Sequence, residues 1–164
     1  MTFRIMTVCT GNICRSPMAE VVLRAHLEAA GLAAVVDSTG VSSEEQGNPM
    51  DPRAVATLRG AGYEPPRHTA RGVRPHELAE RDLVLAMTAS HAAALRRLAP
   101  EHADKVVLLR SFDPAAPSGG PEYLLDVDDP WYGDRGAFAI TLAEIEAAAP
   151  GIVEHVRVSS RRVP

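Results

Sequence analysis

Short apolar runs alternate with longer amphipathic segments along the 164-residue chain. Four of the runs have the length and composition of buried strands, and they cover residues 3–8, 33–36, 82–87 and 105–109. Helical periodicity lies between and after them, over residues 17–30, 51–59, about 88–98 and 134–149. This alternation indicates βαβ units. It predicts an α/β fold: one domain over residues 1–164, with a four-stranded parallel sheet flanked by helices on both faces.

Local signals set the expected ends of these elements. Ser16-Pro17 is typical of an N-cap followed by proline at the first helical position, and Gly31 would end the same helix. In the last helical stretch, Pro150-Gly151 would interrupt the helix before residues 152–158. Residues 159–164 are expected to form a frayed tail.

Composition narrows the classes of function. The net charge of −4 and the pI near 5.8 argue against a nucleic-acid partner, which would favour a basic face. The sequence opens directly into a strand rather than a signal peptide, and no apolar run approaches the roughly 20 residues that span a bilayer. We therefore expect a cytoplasmic protein without a membrane partner. Separately, we expect it to act as a monomer. Cys9 and Cys14 are the only cysteines, which excludes a disulfide-stapled scaffold.

The two cysteines lie in a loop that has the features of an anion-binding cup. The loop follows the first strand, and Arg15-Ser16 opens the next helix, whose first N–H groups lack intrahelical partners. Gly11 and Asn12 tolerate the left-handed backbone that lets several N–H groups converge. Arg15 can hold two oxygens of one anion. Cys9 would lie at the base of the cup, where the positive field favours a thiolate nucleophile.

A second acidic loop, residues 126–134, supplies the expected proton donor. A phosphoryl group transferred to a cysteine expels an alkoxide or phenolate, which needs a proton. Asp129 is the best candidate because Pro130 stiffens the loop beside it. Trp131 and Tyr132 could line the entrance and stack on a flat ring.

These two motifs resemble those of the low-molecular-weight protein tyrosine phosphatases, and the chain length fits that family. The first motif is Cys9-Thr10-Gly11-Asn12-Ile13-Cys14-Arg15-Ser16, and the second is Asp129-Pro130-Trp131-Tyr132-Gly133. Asp37-Ser38-Thr39-Gly40 and Asp51-Pro52-Arg53-Ala54 add to the similarity. The resemblance implies a phosphatase that acts on phosphotyrosine proteins or peptides and needs no metal or organic cofactor.

The resemblance also implies roles for individual residues. Cys9 would be the nucleophile, Arg15 the clamp on the phosphoryl group, and Asp129 the general acid and then the general base. Ser16 would hydrogen-bond the Cys9 thiolate, and Asn12 would hold the loop in shape with Ser38 as its partner. The phosphate-binding residues would be Thr10, Gly11, Asn12, Ile13, Cys14 and Arg15, and the pocket wall would be Trp131 and Tyr132.

Several other interpretations of these residues remain open. An arsenate reductase on the same fold would need relay cysteines outside the loop, and a non-catalytic phosphate-binding module would not need all three of Cys9, Arg15 and Asp129. A zinc site on the two cysteines would need two more ligands. Cys14 could form a disulfide with oxidised Cys9 or could simply be a packing residue. Histidines such as His68 and His91 are interpreted as surface or local-structure residues.

The sequence departs from the family pattern in one place. Members of the family often carry an aromatic residue between the positions of Gly40 and Gly47, where this chain has residues 42–46, Ser-Ser-Glu-Glu-Gln. One aromatic wall of the pocket is therefore expected to be missing. The two glutamates would repel acidic peptides.

Overall fold

The computed structural model describes residues 1–162 and confirms the predicted α/β fold. Its four parallel strands are β1 (Phe3–Cys9), β2 (Ala34–Gly40), β3 (Leu83–Ala86) and β4 (Val106–Leu108), in the order β2-β1-β3-β4. The α-helices are α1 (Arg15–Ala29), α2 (Pro52–Gly60), α3 (Ala89–Leu98) and α4 (Arg135–Arg161).

Strand β1 lies inside the sheet and is buried on both faces, which explains its nearly continuous apolar sequence. Ile5 and Cys9 belong to the core on one face, which they share with residues of α1, α2 and α4. Met6 and Val8 belong to the core on the other face, which α3 covers. The strand order reverses at β1, and ligands of such sheets bind beyond the strand ends at this kind of position.

Strand β2 is longer than its apolar run and continues to Gly40. It pairs in parallel with β1 over its whole length, from Phe3 opposite Ala34 to Cys9 opposite Gly40. The prediction of a strand that ends at residue 36 is therefore wrong. Ser38 and Thr39 are bonded beside the cup: the Ser38 hydroxyl accepts from Asn12 and donates to Glu20, and the backbone carbonyl oxygen of Thr39 accepts from Ser16.

Helix α1 begins two residues earlier than predicted, at Arg15 rather than Pro17. The N-cap position is Cys14, which makes no side-chain capping bond, so the assignment of Ser16 as N-cap is wrong. Ser16 is fully buried, and its hydroxyl bonds Cys9, Asn12 and Thr39 instead. Helix α3 does carry a capping bond, in which the backbone N–H of His91 donates to the Thr88 hydroxyl oxygen.

Helix α4 is continuous through Pro150, so the predicted interruption is wrong. Proline has no N–H to donate to the carbonyl oxygen four residues earlier in the helix. Because Pro150 is exposed, water can bind that carbonyl oxygen instead. Ala149 and Ile152 on either side are fully buried and hold the two halves in line. Of the tail that was expected to fray, residues up to Arg161 are helical, and residues 163–164 lie outside the described range.

Helix α4 is also long and apolar enough to cross a membrane by length and composition, which the sequence analysis did not anticipate. Its alanine-rich sequence raises the mean hydropathy although Glu144 and Glu146 interrupt it. Phe138, Ile145 and Ile152 are fully buried in the core that includes β1 and α1. The helix thus has the pattern of a core helix, and its composition is weak evidence for a membrane span.

Candidate active site

The loop between β1 and α1 curves around the end of the sheet and leaves Cys9 and Arg15 buried. Asn12 has φ 61°, and this left-handed backbone turns the loop. Gly11 does not have the predicted positive φ, and a Cβ at this position would lie 3.0 Å from Cγ of the Glu45 side chain. The local sequence therefore forms the expected cup after the first strand.

The side chain of Asn12 uses all of its hydrogen-bonding groups to hold this loop. Its Nδ2 donates to Ser16 Oγ at 2.8 Å and to Ser38 Oγ at 3.0 Å, and its Oδ1 accepts from the backbone N–H of Arg71 at 3.1 Å. Ser38 in turn donates to Glu20 Oε2 at 2.6 Å. The predicted pairing of Asn12 with Ser38 is present in the structure.

Ser16 lies next to the Cys9 sulfur and has a single proton to donate. Its Oγ is 3.0 Å from Cys9 Sγ and 3.2 Å from the carbonyl oxygen of Thr39, and it accepts from Asn12. When Cys9 is a thiol, the S–H can donate to Oγ while Ser16 donates to Thr39. When Cys9 is a thiolate, Ser16 can turn its proton toward the sulfur.

Arg15 connects the cup to the second predicted motif. Its Nη1 donates to the carbonyl oxygen of Val127 at 2.9 Å, and its Nη2 lies 3.4 Å from Asp129 Oδ2. Its buried Nε has no hydrogen-bond partner among residues 1–162, so the guanidinium keeps a donor for a bound anion. Asp129 is one-third exposed and accepts from the N–H of Trp131 at 3.1 Å. The cation and the carboxyl group therefore meet at one cavity.

This cavity has a volume of about 200 Å³ and opens between the two motifs. Trp131 and Tyr132 line it and are exposed, with their rings edge to face at a centroid distance of 4.9 Å. Ser42, Glu44 and Glu45 also line it, and Trp131 and Tyr132 are the aromatic residues of its lining. The remaining lining residues are Cys9, Thr10, Gly11, Ile13, Cys14, Arg15 and Asp129.

Arg53 supports the loop that carries Asp129, and sequence reasoning assigned it no role. Its Nη1 lies 3.3 Å from the carbonyl oxygen of Trp131 and 3.4 Å from that of Gly133. The same guanidinium pairs with Asp51 at 2.9 Å, and this hydrogen bond lowers the pKa of the Asp51 carboxyl group. The N–H of Asp51 donates to the carbonyl oxygen of Ile13 at 2.9 Å, so one contact chain joins the cup to the Asp129 loop.

His91 is buried, so of its two interpretations, as a surface or as a local-structure residue, the first is wrong. Its Nε2 lies 2.8 Å from Thr10 Oγ1. Burial, followed by the charge of Arg15, lowers the pKa of His91 to about 4, although Asp129 opposes the shift. The ring is therefore neutral at neutral pH. No sequence motif marks this contact, because the two residues are 81 positions apart.

Cys14 is the second cysteine of the cup; like Cys9, it is buried and forms no disulfide. Burial raises the pKa of Cys14, and the charges of Asp51 and Asp129 add to the effect. Its place in the core beside α1 is consistent with a packing role. Within residues 1–162, no group of three or more His, Cys, Asp and Glu side chains is arranged to hold a metal ion.

Gly40 gives a direct test of how tightly the cup is held. A Cβ at this position would lie 2.5 Å from the carbonyl oxygen of Thr10 and 3.1 Å from the N–H of Asn12. We expect Gly40→Ala to displace the loop backbone, to lower the free energy of unfolding by about 1–3 kcal/mol and to weaken phosphate binding. Denaturant unfolding and phosphate titration measure both effects. Gly60→Ala is the matched control, since its Cβ would meet nothing within 4 Å; equal losses in both variants would contradict the prediction.

The fold and the site define an α/β protein with a Cys-x5-Arg anion-binding loop after its first strand. The chain belongs to the family described as low molecular weight phosphotyrosine protein phosphatase, whose model matches residues 4–162. It is 48% identical over 161 residues to a low molecular weight protein-tyrosine-phosphatase of Streptomyces coelicolor, covering 96% of this chain and 95% of that protein.

Solved structures agree with this assignment. A low molecular weight protein tyrosine phosphatase from T. tengcongensis superposes with a TM-score of 0.82 at 34% identity, covering 94% of this chain and 99% of that one. A cysteine-to-serine mutant of the arginine phosphatase YwlE, with a phosphorylated active-site serine, has a TM-score of 0.83 at 30% identity and covers 97% and 99% of the two chains.

Proposed function

We propose that this protein is a tyrosine phosphatase that hydrolyses phosphotyrosine and aryl phosphates through a phosphocysteine on Cys9. The observation that carries the proposal is the meeting of Cys9, Arg15 and Asp129 at one cavity beyond the end of β1. Membership of the family supports the reaction type. The phosphorylated active-site serine of the YwlE mutant supports a covalent intermediate on the corresponding side chain. The proposal includes a cytoplasmic location and a monomeric enzyme.

The first chemical step transfers the phosphoryl group to sulfur. The Cys9 thiolate attacks phosphorus, a P–S bond forms, and the bond from phosphorus to the phenolic oxygen breaks. Backbone N–H groups of residues 10–15 and the Arg15 guanidinium hold the equatorial oxygens as charge develops on them. Asp129, in its acid form, gives its proton to the departing phenolate.

The second step returns the enzyme to its starting state. Asp129, now a carboxylate, takes a proton from a water molecule that attacks phosphorus. The P–S bond breaks, inorganic phosphate is released, and Cys9 leaves as a thiolate that the Ser16 hydroxyl stabilises at 3.0 Å. Since Asp129 acts in both steps, it has to change protonation state once in each half of the cycle.

The alternatives from the sequence have less support. An arsenate reductase would need relay cysteines outside the loop, and this sequence has only Cys9 and Cys14. A non-catalytic module would gain nothing from placing Asp129 beside Arg15 and Cys9. Phosphoarginine is a useful competing substrate because one structural relative is an arginine phosphatase. Trp131 and Tyr132 favour the aromatic substrate, as their rings can contact a phenyl group.

A substrate panel tests the proposal. Phosphate release is measured from one peptide that carries phosphotyrosine, phosphoserine, phosphothreonine or phosphoarginine, with and without EDTA. We expect phosphotyrosine to be hydrolysed fastest, EDTA to have no effect, and vanadate to inhibit, because it can adopt the five-coordinate geometry of the transition state. A preference for phosphoserine or phosphoarginine would reject the proposed substrate class.

The acidic residues of the cavity predict a preference among phosphotyrosine peptides. Glu44 and Glu45 line the cavity together with Trp131. We expect kcat/KM to be lower for peptides with acidic residues beside phosphotyrosine than for basic ones, by a few-fold at low salt, since exposed charges interact weakly and are screened. Glu44→Gln with Glu45→Gln should remove the difference, and Glu28→Gln with Glu101→Gln, two exposed positions outside the cavity, is the control. A wild-type preference for acidic peptides would contradict the prediction.

A further inference from the structure

His91 is a buried side chain beside the cavity that the proposed mechanism does not use. It stands in the first turn of α3, and its Nε2 is 2.8 Å from the hydroxyl oxygen of Thr10, a residue that lines the cavity. The same oxygen lies 3.4 Å from Arg15 Nη2. Because a guanidinium can only donate, this contact occupies one acceptor position of the Thr10 hydroxyl.

The environment of the His91 ring favours one tautomer. Its Nδ1 is buried and has no hydrogen-bond partner among residues 1–162. A proton on Nδ1 would be a buried donor without an acceptor, whereas a proton on Nε2 makes the bond to Thr10. The low pKa of the ring keeps it neutral at neutral pH, so only one nitrogen is protonated. The structure therefore favours a neutral ring with its proton on Nε2.

This tautomer decides what the Thr10 hydroxyl can do. Its oxygen accepts from both His91 and Arg15, which leaves its own proton free to donate into the cavity. We propose that His91 is a positioning residue that fixes the Thr10 hydroxyl as an additional hydrogen-bond donor to the bound phosphoryl group. The proposal rests on the proposed function, since it assigns a partner to the same phosphoryl group.

The protonation site is the first test, and it needs no substrate. Nitrogen-15 NMR of the histidine rings at neutral pH reports which ring nitrogen of His91 carries the proton, with His91→Gln used to assign the signals. We expect the proton on Nε2. A proton on Nδ1 would show that Thr10 donates to the ring, and this result would overturn the proposal.

Phosphate binding to resting enzyme variants is the second test. We expect Thr10→Val and His91→Leu each to weaken inorganic phosphate binding and to lower kcat/KM by about tenfold or more, the effect of losing a donor to a charged group. The double variant should be no worse than Thr10→Val alone. His91→Gln, whose amide N–H can replace Nε2–H, and Thr10→Ser should restore most of the loss.

The control is His76→Leu, the same change at an exposed histidine outside the cavity. Losses that multiply in the double variant, or phosphate affinity within twofold of wild type in both single variants, would overturn the proposal. If His91→Leu does not fold, the phosphate affinities of Thr10→Val, Thr10→Ser and His91→Gln still test the proposal. Wild-type enzyme that binds phosphate but does not hydrolyse phosphotyrosine would contradict the proposed function instead, so the two failures are distinguishable.

Discussion

Cys9→Ser should lower the turnover of phosphotyrosine by about 10⁴-fold or more while leaving phosphate binding largely intact. A serine hydroxyl keeps its proton at neutral pH and is a poor nucleophile. The groups that hold the anion are the loop N–H groups and Arg15, and the substitution keeps them. Steady-state kinetics on phosphotyrosine peptides and phosphate titration of the variant measure the two effects separately.

The Cys9→Ser variant should also trap the intermediate. A phosphoryl group that reaches the serine would form an ester that lacks a good leaving group, so we expect phosphoserine at position 9 by mass spectrometry after incubation with substrate. Cys14→Ser makes the same chemical change in the same loop and keeps its N–H group. It should lose far less activity. Turnover of Cys9→Ser at the wild-type rate would reject the covalent mechanism.

The parts of the site that the sequence predicted are local in the chain. The cup lies within one strand-loop-helix junction, where residue types that cap, turn and bind anions follow one another from Cys9 to Arg15. The conformation of Asn12 could be predicted because asparagine tolerates the left-handed region. The position of the cup at a reversal of strand order follows from β1 lying between β2 and β3.

The parts that could not be predicted depend on contacts between distant segments. Arg15 reaches Val127 over 112 positions, and His91 reaches Thr10 over 81. No pattern in a single sequence marks such pairs, because each partner is an ordinary residue in its own segment. Arg53 is a similar case, since its contact with the Asp129 loop depends on how α2 packs beside the cup.

The errors at element ends have the same origin. Serine is a residue type that often caps helices, but the Ser16 hydroxyl is hydrogen-bonded to the Cys9 sulfur and to Asn12 of the loop. These tertiary contacts place Ser16 inside α1. Proline usually breaks a helix, but Pro150 is exposed to solvent, and Ala149 and Ile152 beside it are buried in the core. Local propensity is a weak signal where packing on both sides of a residue favours another conformation.

Asp129→Asn should lower kcat/KM by about 10²- to 10⁴-fold for substrates whose leaving group is a strong base, and by much less for p-nitrophenyl phosphate. The reason is that an amide cannot give a proton to the departing oxygen, and p-nitrophenolate leaves without one. Measuring kcat/KM over a series of aryl phosphates gives the dependence on leaving-group basicity. Asp128→Asn is the matched control, because this neighbouring carboxyl group is exposed and does not line the cavity.

The same variant separates the two chemical steps. Asp129 also activates the water that hydrolyses phosphocysteine, so the second step of Asp129→Asn should be slow even for p-nitrophenyl phosphate. The expected result is a burst of p-nitrophenolate followed by slow turnover, measured by stopped-flow absorbance. Phosphate affinity serves as a check on Arg15, which lies 3.4 Å from Asp129. An equal loss of kcat/KM for all leaving groups, without a burst, would assign the general acid to another residue.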